Sequence, residues 1–197
     1  MKSDSDLLNG QPVLLFENQQ GWSAWLAENH SASTGVWLKL AKKAAGLQSV
    51  SYEEALEAAL CYGWVDSQKR SYDETAWLQR FSPRGPKSIW SKTNCQKAED
   101  LIRAGRMKPA GLAAVERARQ DGRWEAAYDS QRTSVVPADL QAELDNDEAA
   151  QAFFDTLDSA NRYAVLFRIQ TAKQPETRSR RIEQFIQMLA RHEKLHP

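Results

Sequence analysis

The stretch from Cys61 to Asn94, CYGWVDSQKRSYDETAWLQRFSPRGPKSIWSKTN, restricts most what this chain can fold into. Trp64–Arg70 and Ala76–Phe81 read as two antiparallel strands around Ser71-Tyr72-Asp73-Glu74. Pro83, Gly85 and Pro86 then end sheet structure, because proline removes a ladder donor. The stretch holds three of the chain's seven tryptophans and six bases (Lys69, Arg70, Arg80, Arg84, Lys87, Lys92) against three acids (Asp66, Asp73, Glu74). Packing alone does not require that mixture.

The flanks supply the rest of the sheet. Pro12–Phe16 is a short apolar run with strand character. Trp22, Trp25, Leu26 and Asn29 lie at helical spacing within Asn18–His30. Val36–Lys42 alternates, with Val36, Leu38 and Leu40 on one side, and reads as a strand with one face buried. Ser51 and Glu54 make a capping box ahead of Leu56, Ala59 and Leu60, and Gly63 supplies the stop.

After Trp90 the texture becomes helical. Ser91 or Thr93 caps a helix, and Thr93 with Gln96 would form a second capping box. Pro109 suits a first turn, followed by Leu112, Val115 and Ala118. Further helices are expected from Pro137, at Ala150–Leu157, after a Ser159 cap with Tyr163, Leu166, Phe167 and Gln170 inward, and at Ile182–Leu189 once Pro175 has interrupted. The fold expected is α+β: a small, mostly antiparallel sheet with packed helices, followed by an all-helical C-terminal half. Residues 11–90 would form the sheet region and 91–193 the helical region of one integrated globule, with 1–10 and 194–197 frayed.

The 26 bases and 26 acids balance, and the pI is about 6.8, which argues against nucleic-acid binding by bulk charge. No apolar run approaches a membrane span, and the N-terminus lacks a signal-peptide pattern, so a cytoplasmic protein is expected. Cys61 and Cys95 lie 34 apart without metal-ligand spacing, so no disulfide, metal or cofactor is expected.

Three constellations carry the candidate site. The even positions Trp64, Asp66, Gln68 and Arg70 share a face, a polar pocket with an aromatic wall in which Asp66 is acceptor or base and Arg70 or Arg80 holds an anion. The competing reading is a buried Asp–Arg pair that fixes the hairpin. Next, Ser88, Ser91 and Thr93 precede a helix start with Arg84, Lys87 and Lys92 nearby and Trp90 in the same stretch, which could bind phosphate or carboxylate, against plain capping. Third, six bases between Arg162 and Arg181, among them Lys173, Arg178 and Arg181, could contact phosphates. They could equally pair with the seven acids of Asp139–Asp158, the reading favoured by zero net charge. Hydrolase, P-loop, zincin and dinucleotide motifs are absent, and His30, His192 and His196 all lie outside the hairpin.

Several blocks resemble one bacterial family: Gly35–Lys43 (GVWLKLAKK), Glu53–Thr75 (EEALEAALCYGWVDSQKRSYDET), Leu78–Asn94 (LQRFSPRGPKSIWSKTN), Ala104–Trp124 (AGRMKPAGLAAVERARQDGRW) and Ala172–Ile186 (AKQPETRSRRIEQFI). In this order, from about Trp22 to about Leu189, the chain resembles the bacteriocin-protection, YdeI/OmpD-associated family. Members more usually carry Thr where this chain has Lys108, so a helix cap is missing there. The resemblance implies a stress- or resistance-associated protein, and it brings no catalytic residue or cofactor. The function expected is a non-catalytic module that binds a small anionic ligand or a protein partner. The alternatives are an enzyme with Asp66 as acid/base and Arg70, Arg80 or Arg84 as substrate anchors, and nucleic-acid binding through Arg162–Arg181.

Overall fold

The structure, a computed structural model, describes residues 7–43 and 45–197. Most of the N-terminal segment read as frayed, residues 1–6, lies outside the described residues. The chain divides into two compact units. One runs to Ile89 and takes in Asn94–Glu125; the other is Trp90–Thr93 with Ala126–Pro197.

The first unit is built on a five-stranded sheet in the order β1-β2-β3-β5-β4. Its strands are β1 (Leu7–Leu8), β2 (Gln11–Leu14), β3 (Val36–Ala41), β4 (Trp64–Ser71) and β5 (Ala76–Pro83). Leu7 and Leu8 are not frayed: they pair antiparallel with Pro12 and Gln11 across a turn in which Asn9 and Gly10 both take positive φ. The sheet is mixed rather than mostly antiparallel, because β2 and β3 run parallel, with Val13 opposite Trp37. The reason is the helix α1 (Gln19–Asn29) between them, since parallel neighbours need a crossover and a helix is the usual one. Helices α1 and α2 (Tyr52–Cys61) both precede β4, so helices are not all in the C-terminal half, as the Trp22–Asn29 spacing and the Ser51 box foretold.

Strand β3 lies between β2 and β5, so Val36, Trp37, Leu38 and Leu40 are all buried, on both faces rather than one. Against the sheet sits an aromatic cluster. The Trp22 ring stacks on Trp25 at 5.3 Å and meets Trp64 edge-on at 6.3 Å and Phe81 at 5.9 Å. Both buried indoles find acceptors: Trp22 Nε1 donates to the Ala55 carbonyl and Trp64 Nε1 to the His30 carbonyl, each at 3.1 Å.

Helix α2 starts at the capping box foreseen, with Ser51 and Glu54 bonded reciprocally. Its end meets α4 (Pro109–Gln120) at backbone contact. A Cβ on Gly111 would lie 2.3 Å from the Cys61 carbonyl oxygen, and one on Gly63 (φ +73°) would lie 2.8 Å from that of Ala110. Lys108 offers no side-chain cap, but its N–H donates to the Cys61 carbonyl at 3.0 Å, which ties the same junction. Helix α3 (Lys92–Arg103) begins one residue ahead of Thr93, so Thr93 is helical and no Thr93–Gln96 box forms.

In the second unit α5 (Ala138–Asp145), α6 (Glu148–Thr156), α7 (Ser159–Gln170) and α8 (Pro175–Ala190) bury Leu140, Leu144, Phe154, Ile169 and Leu189. The cap of α7 is Asp158, not Ser159: its carboxylate accepts from the Asn161 N–H at 2.7 Å. Val165, Leu166 and Ile169 face the core, whereas Tyr163, Phe167 and Gln170 turn to the segment around Asp129. Pro175 starts α8 at its first turn rather than interrupting a longer helix.

Candidate functional site

The hairpin expected from the sequence forms, but its register carries an irregularity that re-aims its side chains. Asp66 pairs with Phe81 and Lys69 with Gln79, so β4 has one residue more than β5 over that span. Directly paired residues leave the same face. Trp64, Asp66, Lys69 and Ser71 therefore share a face with Pro83, Phe81, Gln79 and Trp77, while Arg70 pairs with Leu78 on the other. The bulge thus breaks the set Trp64, Asp66, Gln68, Arg70, which strict alternation would have kept together.

On the face of Asp66 stands Tyr52, the first residue of α2. Its hydroxyl donates to Asp66 Oδ2 at 2.9 Å, and its ring centroid is 6.1 Å from that of Trp77. The Lys69 ammonium sits 4.4 Å over the Trp77 ring, and Lys39 sits 4.1 Å over that of Tyr72. Asp66 therefore faces a phenol rather than an arginine, and its bond ties α2 to β4.

At the turn end of the sheet lies an open cleft of about 460 Å³, lined by Ala41, Lys42, Lys43, Lys69, Arg70, Ser71 and Trp77. Four of those seven side chains are cationic and none is acidic. Asp73, at the hairpin turn, accepts at Oδ1 from the Thr75 hydroxyl and from the Thr75 and Ala76 N–H groups, all at 2.8 Å. Those bonds, the Thr75 hydroxyl foremost, hold it below the usual carboxylate range. Lys42 Nζ donates to the Asp73 carbonyl at 2.6 Å, a neutral acceptor.

The remaining residues proposed from the sequence scatter. Trp64 belongs to the core. Gln68 is exposed. Arg80 donates through Nε to Gln11 Oε1 at 2.8 Å and through Nη1 to Ser67 and Ser82 hydroxyls at 3.3 and 3.4 Å, a tie across β2, β5 and β4. Arg84 is buried and donates to the Ile89 carbonyl at 3.1 Å. Ser88 accepts from the Gly85 N–H through its hydroxyl and from Arg123 Nη1 through its carbonyl, at 3.0 and 2.8 Å. These bonds tie the loop to itself and to Arg123.

The other four fall in the second unit. Trp90 is buried and Lys173 is exposed. Arg178 grips Asp139 with two bonds, 2.6 and 2.8 Å, and gives a third to the Ile169 carbonyl at 3.0 Å. Arg181 bonds the Arg168 carbonyl, and Arg162 lies 3.9 Å from Asp155. The Arg162–Arg181 cluster thus pairs in part with the acidic segment, as the charge balance suggested. Sequence reasoning missed Tyr52, Lys42, Lys43, Lys69 and Trp77. The position of Tyr52 at the first turn after the Ser51 cap was legible, but nothing marked which strand it would face.

Burial pushes both thiols up, Cys95 to about 11, so neither is a thiolate nucleophile at neutral pH. Among the described residues no group of three or more His, Cys, Asp and Glu side chains is placed to hold a metal ion, and no helix is long and apolar enough to cross a membrane.

Two family models match the chain. Residues 14–114 match the family described as a domain of unknown function, DUF8412, and residues 133–192 match Bacteriocin-protection, YdeI or OmpD-Associated. The first match spans more than half of the sequence and contains every residue of the basic cleft; the chain belongs to that family and carries the YdeI/OmpD-associated region after it. Searches of the curated proteins and of the solved structures found no match.

Proposed function

We propose that this protein is a non-catalytic binding module that takes a small anionic ligand in the cleft formed by Lys42, Lys43, Lys69, Arg70 and Trp77. The observation that carries the reading is the charge of the lining: four cations and no carboxylate. Like charges gathered on one surface repel, so a cluster left without acids is stabilised by an anion supplied from outside. The size supports it too, since small-molecule clefts commonly enclose about 300–1,000 Å³. The family that residues 133–192 match adds a physiological reading, a part in protection against bacteriocins.

A thermal-shift screen of small carboxylates, sulfate and phosphates tests the binding function. A ligand that prefers the native state raises the melting temperature by mass action. The shift should shrink in Lys69→Ala and Arg70→Ala. A shift of the same size in both variants places the ligand elsewhere.

A further inference from the structure

We infer that the cleft selects a chain of phosphates, inorganic or esterified, through its charge alone and without reading an attached base. The inference rests on the anion-binding function proposed above and narrows its ligand. A monocarboxylate would neutralise one of the four lining cations, a phosphate monoester at most two, and a di- or triphosphate three or four. Three of the four are lysines, which bind phosphate as mobile point charges rather than as a planar fork.

The aromatic side chain in the lining does not offer a stacking platform. Lys69 covers the Trp77 ring at 4.4 Å, and Tyr52 stands tilted beside it with centroids 6.1 Å apart. A nucleobase would have to displace the ammonium that the phosphates need. The indole instead holds Lys69 by its π-face.

Calorimetric titration of the full chain at fixed ionic strength tests this, with acetate, inorganic phosphate, pyrophosphate, tripolyphosphate, ATP and CTP as probes. Affinity should rise about fivefold with each added charge, the gain for one ion contact in water. ATP and CTP should bind alike, and Lys69→Ala/Arg70→Ala should weaken tripolyphosphate at least about tenfold. Lys43→Gln, at an exposed position, should weaken it about fivefold and serves if the double variant folds poorly. Acetate binding as tightly as tripolyphosphate, and lost in the variants, would overturn the phosphate-chain selectivity and leave the anion-binding function standing. A tenfold preference for one base would overturn it as well. No binding by any anion, or binding unchanged in both variants, would overturn both.

Discussion

Two basic clusters in this chain meet opposite fates. In the helical unit Arg178 is gripped by Asp139, Arg162 lies near Asp155, and Arg181 covers a backbone carbonyl. In the sheet unit Lys42, Lys43, Lys69 and Arg70 line one cleft that no acid enters. The difference follows from what each secondary structure brings near. The helical cluster shares its unit with an acid-rich segment, whose helices α5 and α6 pack against α8. The cleft cations come from a strand end and an edge strand, where the turn acid Asp73 accepts at Oδ1 from the Thr75 hydroxyl and the Thr75 and Ala76 N–H groups and does not line the cleft. Charges paired within the fold serve the fold; the cleft charges are the ones the anion-binding proposal rests on.

The largest effect expected tests the frame that holds the cleft. Gly111→Ala drives a methyl against the Cys61 carbonyl at 2.3 Å, and backbone on both sides must move. Urea denaturation should show a loss of about 2–4 kcal/mol. Because α2 also presents Tyr52 to Asp66, anion binding should weaken with it; intact binding would show that the cleft does not depend on this junction.

A smaller effect should appear as acid sensitivity in the helical unit. Burial pushes Asp129 up, but bonds from Lys92 and Gln170 outweigh it and leave the group below its ordinary 3.8. A depressed folded value means that the stability from Asp129 is fully present above about pH 4 and is lost as pH falls through the folded value. Asp129→Asn should therefore cost about 1–2 kcal/mol at pH 7 and flatten the stability profile below pH 4. Parallel profiles for variant and wild type would show that the carboxylate is not what holds this segment.

How much of this was legible from the sequence depended on how local each signal was. The Ser51 box, the Pro109 start and the β4–β5 hairpin were readable because a few adjacent residues decide them. The cap of α7 was not, since Asp158 and Ser159 can both cap and only the phase of the first turn chooses. The parallel β2–β3 pair was missed because pairing direction is set by the connection, not by the strands. The candidate cleft was half legible. Arg70 and the hairpin were singled out, but the bulge between Asp66 and Lys69 carries no glycine to announce it, and it exchanged which residues face together. Lys42, Lys43 and Tyr52 come from other elements, so no spacing within the hairpin could name them.

Arg178→Ala gives a direct measure of the paired cluster. The ion pair with Asp139 is partly exposed, with side chains 28% and 46% accessible, so solvent screens it. Its further bond to the Ile169 carbonyl, near the end of α7, is lost too. The two together should cost about 1 kcal/mol in urea denaturation, with anion affinity unchanged.

Arg70→Ala is the counterpart in the unpaired cluster and should have the smallest effect on stability. The side chain is exposed and enters no ion pair among those of the described residues, while Lys42, Lys43 and Lys69 line the same cleft. Removing it deletes repulsion rather than attraction, so stability should stay within about 0.5 kcal/mol, on the favourable side at low salt, where screening is weakest. Adding tripolyphosphate separates the two proteins. The wild type should gain melting temperature and Arg70→Ala should gain less, so the variant is the more stable alone and the less stable with ligand. A variant that is destabilised without ligand would instead assign Arg70 to the fold, as Arg178 is, and would remove the contrast between the two clusters.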